Sequence, residues 1–138
     1  GVQTCALPIY GIPVDPELVI STGGFGAKDA YRAVQEKMAE NVDFTALFAI
    51  ADSMAIGAMR ALMDAGRRIP EDCSVIAIDG LELSAYIEPP LTTLCQPMEE
   101  MGRRSAEILL DMVRHKGSHA CELLPTTLRQ GRSVAAPR

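Results

Sequence analysis

The stretch Thr45–Asp79, TALFAIADSMAIGAMRALMDAGRRIPEDCSVIAID, sets the fold expected for this chain. Two short runs in it, Ala46–Ile50 and Ser74–Ile78, are apolar throughout. Uniformly apolar strands are typical of parallel sheets, because helices cover both faces of such sheets. Between the two runs, apolar residues at helical spacing continue to Ala65, and Gly66 provides a stop signal. The stretch therefore predicts two parallel strands joined by a helix.

The same alternation continues on both sides of this unit. Upstream, the β-branched run Leu18–Thr22 predicts a strand, and Ala27–Glu40 predicts an amphipathic helix. Downstream, a helix is predicted from Pro97 to Gly117, followed by a strand over Glu122–Leu128. The predicted buried face of that last helix consists of Met101, Ile108, Leu109 and Met112. The fold class is therefore α/β, a doubly wound lobe with a parallel sheet.

Size, composition and charge exclude several classes of protein. The chain has 138 residues, of which 48% are hydrophobic and 22% charged, as expected for one ordinary globular domain. Its 13 Lys and Arg against 18 Asp and Glu give a net charge of −5, which disfavours binding of nucleic acid by this chain alone. No apolar stretch approaches the roughly 18 residues that a membrane span needs. We expect a cytoplasmic protein without a membrane segment.

Cysteine and histidine usage predicts neither disulfides nor a metal site. The four cysteines form no C-x-x-C pair and are expected to be buried, reduced thiols, namely Cys5, Cys73, Cys95 and Cys121. His115 and His119 lie four apart, but Gly117 stands between them where a helix should end, so we interpret both as surface residues. We expect no metal and no cofactor.

The first nine residues have a composition unlike that of the rest. Gly1–Ile9, GVQTCALPI, contains no charged residue and resembles the translation of a sequencing adapter. We therefore expect the natural sequence to begin near Tyr10 and the gene to be truncated. Cys5 would then be no part of the natural protein.

Three predicted strand ends carry chemically distinct residues. Phe25 lies in a glycine-rich turn, Ala51 and Asp52 follow the second strand, and Asp79 and Gly80 follow the third. Ligands of open parallel sheets bind outside the carboxyl ends of the strands. An aromatic face with a carboxylate acceptor suits a small polyhydroxylated ligand.

The alternatives for these residues are structural. Phe25 could belong to the core, and Asp79 could simply order the loop that follows it. Asp52 is interpreted as a helix cap rather than as a ligand contact. The sequence contains no G-x-S-x-G, H-E-x-x-H or P-loop motif, so we expect no enzyme.

Several motifs occur along the chain: the helix start Asp52–Gly57, the loop Gly66–Asp72 and the Pro-x-Leu-Thr-Thr run Pro89–Thr93. The closing segment Leu124–Arg129 reads Leu-Pro-Thr-Thr-Leu-Arg. Together, and most closely over Thr45–Met112, these motifs resemble the effector-binding core of LacI/GalR-type transcriptional regulators. Each motif alone would be a weak signal, but the combination is specific.

The resemblance implies a periplasmic-binding-protein-like fold of two lobes, with the effector in the cleft between them. Residues 10–138 would form a partial effector-binding domain, most of the C-terminal lobe. The helix-turn-helix and the N-terminal lobe would lie upstream, and operator DNA would be bound only through that missing part. The implied function is sensing of an effector, with a sugar as the expected ligand, that changes the operator affinity of a dimer.

The resemblance also assigns roles to individual residues. Phe25 matches the aromatic that stacks on the ligand, and Asp79 matches the aspartate that contacts it. Ala51 stands where many relatives carry Asn or Ser, and Gly80 where many carry a second Asp. The predicted dimer interface consists of Ile56, Leu83 and Ile87.

Two other functions remain open at this point. The chain could be the sugar-binding component of an ABC transporter with the same fold, or an α/β enzyme that uses an aspartate at a strand end. The unpaired cysteines and the motif Asp52–Gly57 favour the regulator.

Overall fold

The computed structural model describes residues 10–115 and 121–136. Its helices are α1 (Ala27–Ala39), α2 (Asp52–Asp64) and α3 (Met98–His115). Its strands are β1 (Ala46–Ala49), β2 (Ser74–Asp79), β3 (Thr92–Cys95) and β4 (Thr127–Arg129), and two short 3-10 helices cover Pro16–Leu18 and Glu82–Ala85. The expectations for Gly1–Ile9, Cys5, Gly117 and His119 fall outside the described residues.

The four strands form one sheet in the order β1-β2-β3-β4. β1, β2 and β3 are parallel, and β4 runs antiparallel to β3. Val75 and Ala77 of β2 are fully buried. The predicted α/β class with a parallel sheet is confirmed, and the two apolar runs of the sequence become neighbouring strands.

Helices α1 and α2 pack against each other at very short range. A Cβ atom placed on Gly57 of α2 would lie 1.9 Å from the carbonyl oxygen of Ala27 at the start of α1. Only a residue without a side chain permits that approach. About one turn further along α1, the Tyr31 hydroxyl donates a hydrogen bond of 2.9 Å to Asp64 at the end of α2. The start of α1 is therefore held against α2 at two points.

The predicted strand over Leu18–Thr22 is wrong. Leu18 ends the 3-10 helix Pro16–Leu18, and Val19–Thr22 have no regular structure. Among the described residues, no backbone hydrogen bond joins this segment to the sheet. β-Branched residues favour strands only where a neighbouring strand supplies the pairing, although Ile20 still packs against the core.

The predicted buried face of α3 is also wrong. Leu109 is 62% exposed and Met101 is exposed too, whereas Ile108 and Met112 are half-buried. Helical spacing shows which residues share a face, but it cannot show whether another element covers that face. The last predicted strand is shorter than expected, because only Thr127–Arg129 pairs with β3.

Ser133 links β2 and β3 at the amino ends of these two strands. The hydroxyl of Ser133 is buried, donates to the carbonyl oxygen of Val75 at 2.6 Å and accepts from the amide of Thr92 at 2.8 Å. The amide of Val75 in turn donates to the carbonyl oxygen of Ser133 at 2.7 Å. One residue thus links β2 to β3 where their ladder has ended.

The cysteines differ in their environments. Cys73, Cys95 and Cys121 are free thiols, but Cys73 alone of the three is fully buried, while Cys121 is exposed, contrary to expectation. Burial raises the pKa of Cys73 to about 11, because the thiolate would lose its hydration. In the described part of the chain, no helix is long and apolar enough to cross a membrane. The same residues contain no group of three potential metal ligands.

We expect Gly57→Ala to lower the free energy of unfolding by about 1–3 kcal/mol, the usual cost of overpacking. The added methyl group would meet the backbone of Ala27, which cannot rotate away as a side chain could. Urea denaturation measures the change. Gly102→Ala in α3 is the control, because its added Cβ meets nothing within 4 Å. Equal stability of the Gly57→Ala variant and the parent chain would contradict the close helix contact.

We expect Ser133→Ala to lower the free energy of unfolding by about 1–3 kcal/mol, because it leaves a buried amide and a buried carbonyl without their partner. Ser105→Ala at an exposed position of α3 is the matched control and should change stability by less than about 0.5 kcal/mol. Similar denaturation midpoints for the two variants would argue against the link between the strands.

Candidate functional site

The N-terminus of α2 brings the predicted site residues together. The amide of Asp52 donates to a carboxylate oxygen of Asp79 at 3.3 Å. The hydroxyl of Ser53 donates to the carbonyl oxygen of Phe25 at 2.9 Å. Ala51 itself is the N-cap residue of the helix. Three positions that are far apart in the sequence therefore meet around one helix end.

Phe25 presents its ring to solvent. The residue lies in the glycine-rich turn before α1, and 72% of it is exposed. The turn is held by the Thr22 hydroxyl, which donates to the carbonyl oxygen of Gly24 at 2.7 Å. The alternative that Phe25 is a core residue is therefore wrong. Its predicted role in stacking on a ligand stays a prediction.

Asp79 is held in a strained conformation at the end of β2. Its φ of +140° lies in a region that costs a residue with a side chain about 1–3 kcal/mol. Its two carboxylate oxygens accept from Gln96 Nε2 at 3.1 Å and from the amide of Asp52. The positive end of the α2 dipole favours a carboxylate at this point. The carboxylate remains partly exposed, so it has acceptor capacity left for a ligand.

The position after Asp79 requires glycine. Gly80 has a φ of +81°, and a Cβ atom there would lie 2.6 Å from the sulfur of Cys95 and 2.7 Å from its Cα. The second aspartate that the family resemblance leads us to look for here would collide with Cys95 of β3. Gly80 and Cys95 together therefore leave this side of the site without a second carboxylate.

The interpretation of Asp52 as a helix cap is wrong. The N-cap residue is Ala51, Asp52 is the first residue inside α2, and no side chain caps the helix. Asp52 is fully buried, with 0% of its surface exposed. Its carboxylate accepts from the amide of Leu81 and the hydroxyl of Ser84, both at 2.8 Å, and from the hydroxyl of Thr93 at 2.5 Å. Asp52 thus anchors the loop after β2 instead of the first turn of its own helix.

Sequence reasoning missed two residues of this region. Gln96 directly follows β3, so the rule used for the other strand ends would have found it. Arg129 lies in β4, and its Nη2 reaches to within 3.8 Å of an Asp52 carboxylate oxygen. Arg129 is the last residue of the motif Leu-Pro-Thr-Thr-Leu-Arg, but the motif could not show that its side chain reaches Asp52, which is distant in the sequence.

The predicted dimer residues lie on α2 and in the segment that follows β2. Leu83 is 64% exposed and belongs to the 3-10 helix Glu82–Ala85, which contacts α2. Ile56 and Ile87 are half-buried, and Ile87 packs partly against the core. Tyr86 is exposed beside them. Leu83 and Tyr86 therefore each expose a large side chain, while Ile87 also has a structural role.

Comparisons with known proteins agree with this fold. A family model described as a periplasmic binding protein-like domain matches residues 9–134. The HTH-type transcriptional regulator MalR of Clostridium butyricum is 37% identical over 123 residues, which are 89% of this chain and 36% of that protein. The chain thus spans about a third of the length of this relative.

Two solved structures are similar as well. The complex of the transcriptional regulator CelR with cellobiose matches with a TM-score of 0.81 and 35% identity, over 93% of this chain and 39% of that chain. A LacI family transcriptional regulator from Enterococcus faecium with bound ribose matches with a TM-score of 0.80 and 34% identity, over 96% of this chain and 49% of that one. The chain therefore belongs to the family of periplasmic binding protein-like domains, in the form found in LacI-type transcriptional regulators.

Proposed function

We propose that this chain is the effector-sensing domain of a LacI-type transcriptional regulator. A small molecule binds at the carboxyl ends of the strands, in a cleft between this lobe and a second lobe, and changes the affinity of the full-length dimer for operator DNA. The observation that carries the proposal is the joint anchoring of Asp79 and Phe25 at the N-terminus of α2. A carboxylate and an exposed ring held on one helix end form a recognition surface.

The chemistry of this surface suits a sugar. The Asp79 carboxylate accepts hydrogen bonds from hydroxyl groups, Gln96 lies beside it, and the Phe25 ring covers an apolar face of a pyranose or furanose. Ala51 contributes only a methyl group and Gly80 no side chain, so the ligand receives no further side-chain hydrogen bond from these two positions. Similar regulators have been solved with cellobiose and with ribose, which supports a carbohydrate effector.

DNA binding belongs to a part of the protein other than these residues. The net charge of −5 opposes contact with a phosphate backbone. MalR is described as an HTH-type regulator, and the chain spans about a third of its length. The relatives named above are regulators, which favours this function over a transporter component or an enzyme.

The dimer of the full-length regulator would form through the surface around Leu83. Leu83 and Tyr86 expose large apolar side chains, and Ile56 lies on the neighbouring helix α2. Exposed apolar residues that cluster in this way are typical of protein–protein contacts.

We expect Asp79→Asn to weaken effector binding by about tenfold or more in the regulator, because hydrogen bonds to a charged acceptor are stronger than those to a neutral one. Asparagine has nearly the same size and shape as aspartate, so the substitution should preserve the fold. Calorimetric titration against a carbohydrate panel that includes cellobiose and ribose measures the change. Asp111→Asn on exposed α3 is the control.

Phe25→Ala should weaken binding of the same ligand through lost stacking, and Phe25→Trp should be milder. Unchanged affinity in both the Asp79→Asn and Phe25→Ala variants would place the ligand elsewhere.

We expect Leu83→Glu to raise the dimer dissociation constant at least about tenfold, because it puts a charge into an apolar contact. Sedimentation equilibrium of the full-length regulator measures this constant. Met63→Glu is the control, since Met63 is an exposed apolar residue (39%) near the other end of α2. If Leu83→Glu leaves the dimer intact and Met63→Glu dissociates it, the interface does not lie around Leu83.

A further inference from the structure

One residue, Asp52, contacts both ends of the loop that leaves β2, through its backbone amide and its buried carboxylate. The backbone amide of Asp52 donates to Asp79 at the start of this loop, and its side chain accepts from the amide of Leu81 and the hydroxyl of Ser84 further along. Asp52 therefore contacts this loop at its start and again at Leu81 and Ser84. The strained Asp79 lies at the first of these contacts, and strain of this kind persists only where the surroundings over-determine the conformation.

β3 and the residue that follows it donate hydrogen bonds to both Asp52 and Asp79. The Thr93 hydroxyl donates to the second carboxylate oxygen of Asp52, and Gln96, three residues later, donates to Asp79. Thr93 is fully buried and makes no contact with Asp79 by hydrogen bond in the described residues. The two carboxylates are therefore held against the same strand by separate donors.

The negative charge of Asp52 has a partner in β4. Arg129 Nη2 lies 3.8 Å from the Asp52 carboxylate and donates to the carbonyl oxygen of Leu81 at 2.7 Å and to the hydroxyl of Ser84. Its Nε is buried and is the one buried side-chain nitrogen or oxygen without a hydrogen-bond partner among the described residues. A buried carboxylate needs such a counter-charge, because removal of one partner leaves an uncompensated charge.

We propose that Asp52 and Arg129 are positioning residues that set the orientation of the Asp79 carboxylate. They also join Asp79 to the 3-10 helix Glu82–Ala85, which carries Leu83. Loss of the Thr93 or Arg129 contact loosens Asp52, and the hydrogen bond from its amide to Asp79 weakens in turn. The proposal deepens the proposed function, because Asp79 is the proposed effector contact.

The experiment needs no effector. A negative result therefore counts against this proposal alone and leaves the proposed function to be tested separately. The probes are the exchange rate of the Asp52 backbone amide and the resonances of the Gln96 side-chain amide, measured by NMR on the ¹⁵N-labelled full-length regulator. The variants are Thr93→Val, which removes one donor without loss of volume, and Arg129→Gln, which removes the counter-charge. Thr93→Ser keeps the hydroxyl, and Arg132→Gln removes an exposed arginine paired with Glu88 outside the cluster.

We expect Thr93→Val and Arg129→Gln to accelerate exchange at Asp52 by about tenfold and to shift the Gln96 side-chain amide, while amides of Val75 and Ala77 keep their protection. Thr93→Ser and Arg132→Gln should behave as the parent chain does. Two outcomes overturn the proposal. Either all amides lose protection equally, which would indicate general stability, or Leu81 alone is affected while Asp52 and Gln96 are unchanged.

Discussion

The carboxylate of Asp52 is excluded from water and is surrounded by groups from three separate parts of the chain. The loop after β2 contributes Leu81 and Ser84, β3 contributes Thr93, and β4 contributes Arg129. A buried carboxylate is tolerated only when hydrogen-bond donors or a counter-charge replace its lost water. Each missing donor leaves a carboxylate oxygen buried without a partner, which lowers stability. The contacts of Asp52 therefore hold α2, the loop after β2, β3 and β4 together at the edge of the sheet where the proposed ligand site lies.

The geometry of the candidate site depends on these contacts of Asp52. With α2 held by its first residue, the backbone amide of Asp52 and the hydroxyl of Ser53 face Asp79 and Phe25. Neither Phe25 nor Asp79 would keep its position through its own backbone preference, because one lies in a glycine-rich turn and the other has a positive φ. A rigid helix end that fixes two residues in positions they would not hold by themselves suits recognition of a small ligand.

Much of the fold could be predicted because its signals are local. The apolar runs at Ala46–Ile50 and Ser74–Ile78 predicted two parallel strands, and the strand-end rule identified Asp79 as a candidate. Phe25 was identified through the predicted strand Leu18–Thr22, which does not form, because among the described residues no strand pairs with it. The prediction for α3 also failed, because the described part of the chain leaves much of its apolar side exposed. Both failures concern a neighbouring element, about which a local pattern carries no information.

The amino-acid sequence was sufficient for the α/β class, the order of most elements and the resemblance to LacI-type regulators, since these rest on periodicity and motifs within short segments. The three-dimensional arrangement was needed for the role of Asp52, which looks like a cap in its own helix but binds residues 29 to 41 positions away. It was also needed for Gly80, whose lack of a side chain matters because Cys95 of β3 lies against it. Contacts of such sequence separation depend on how the strands and helices pack, and no local pattern encodes that packing.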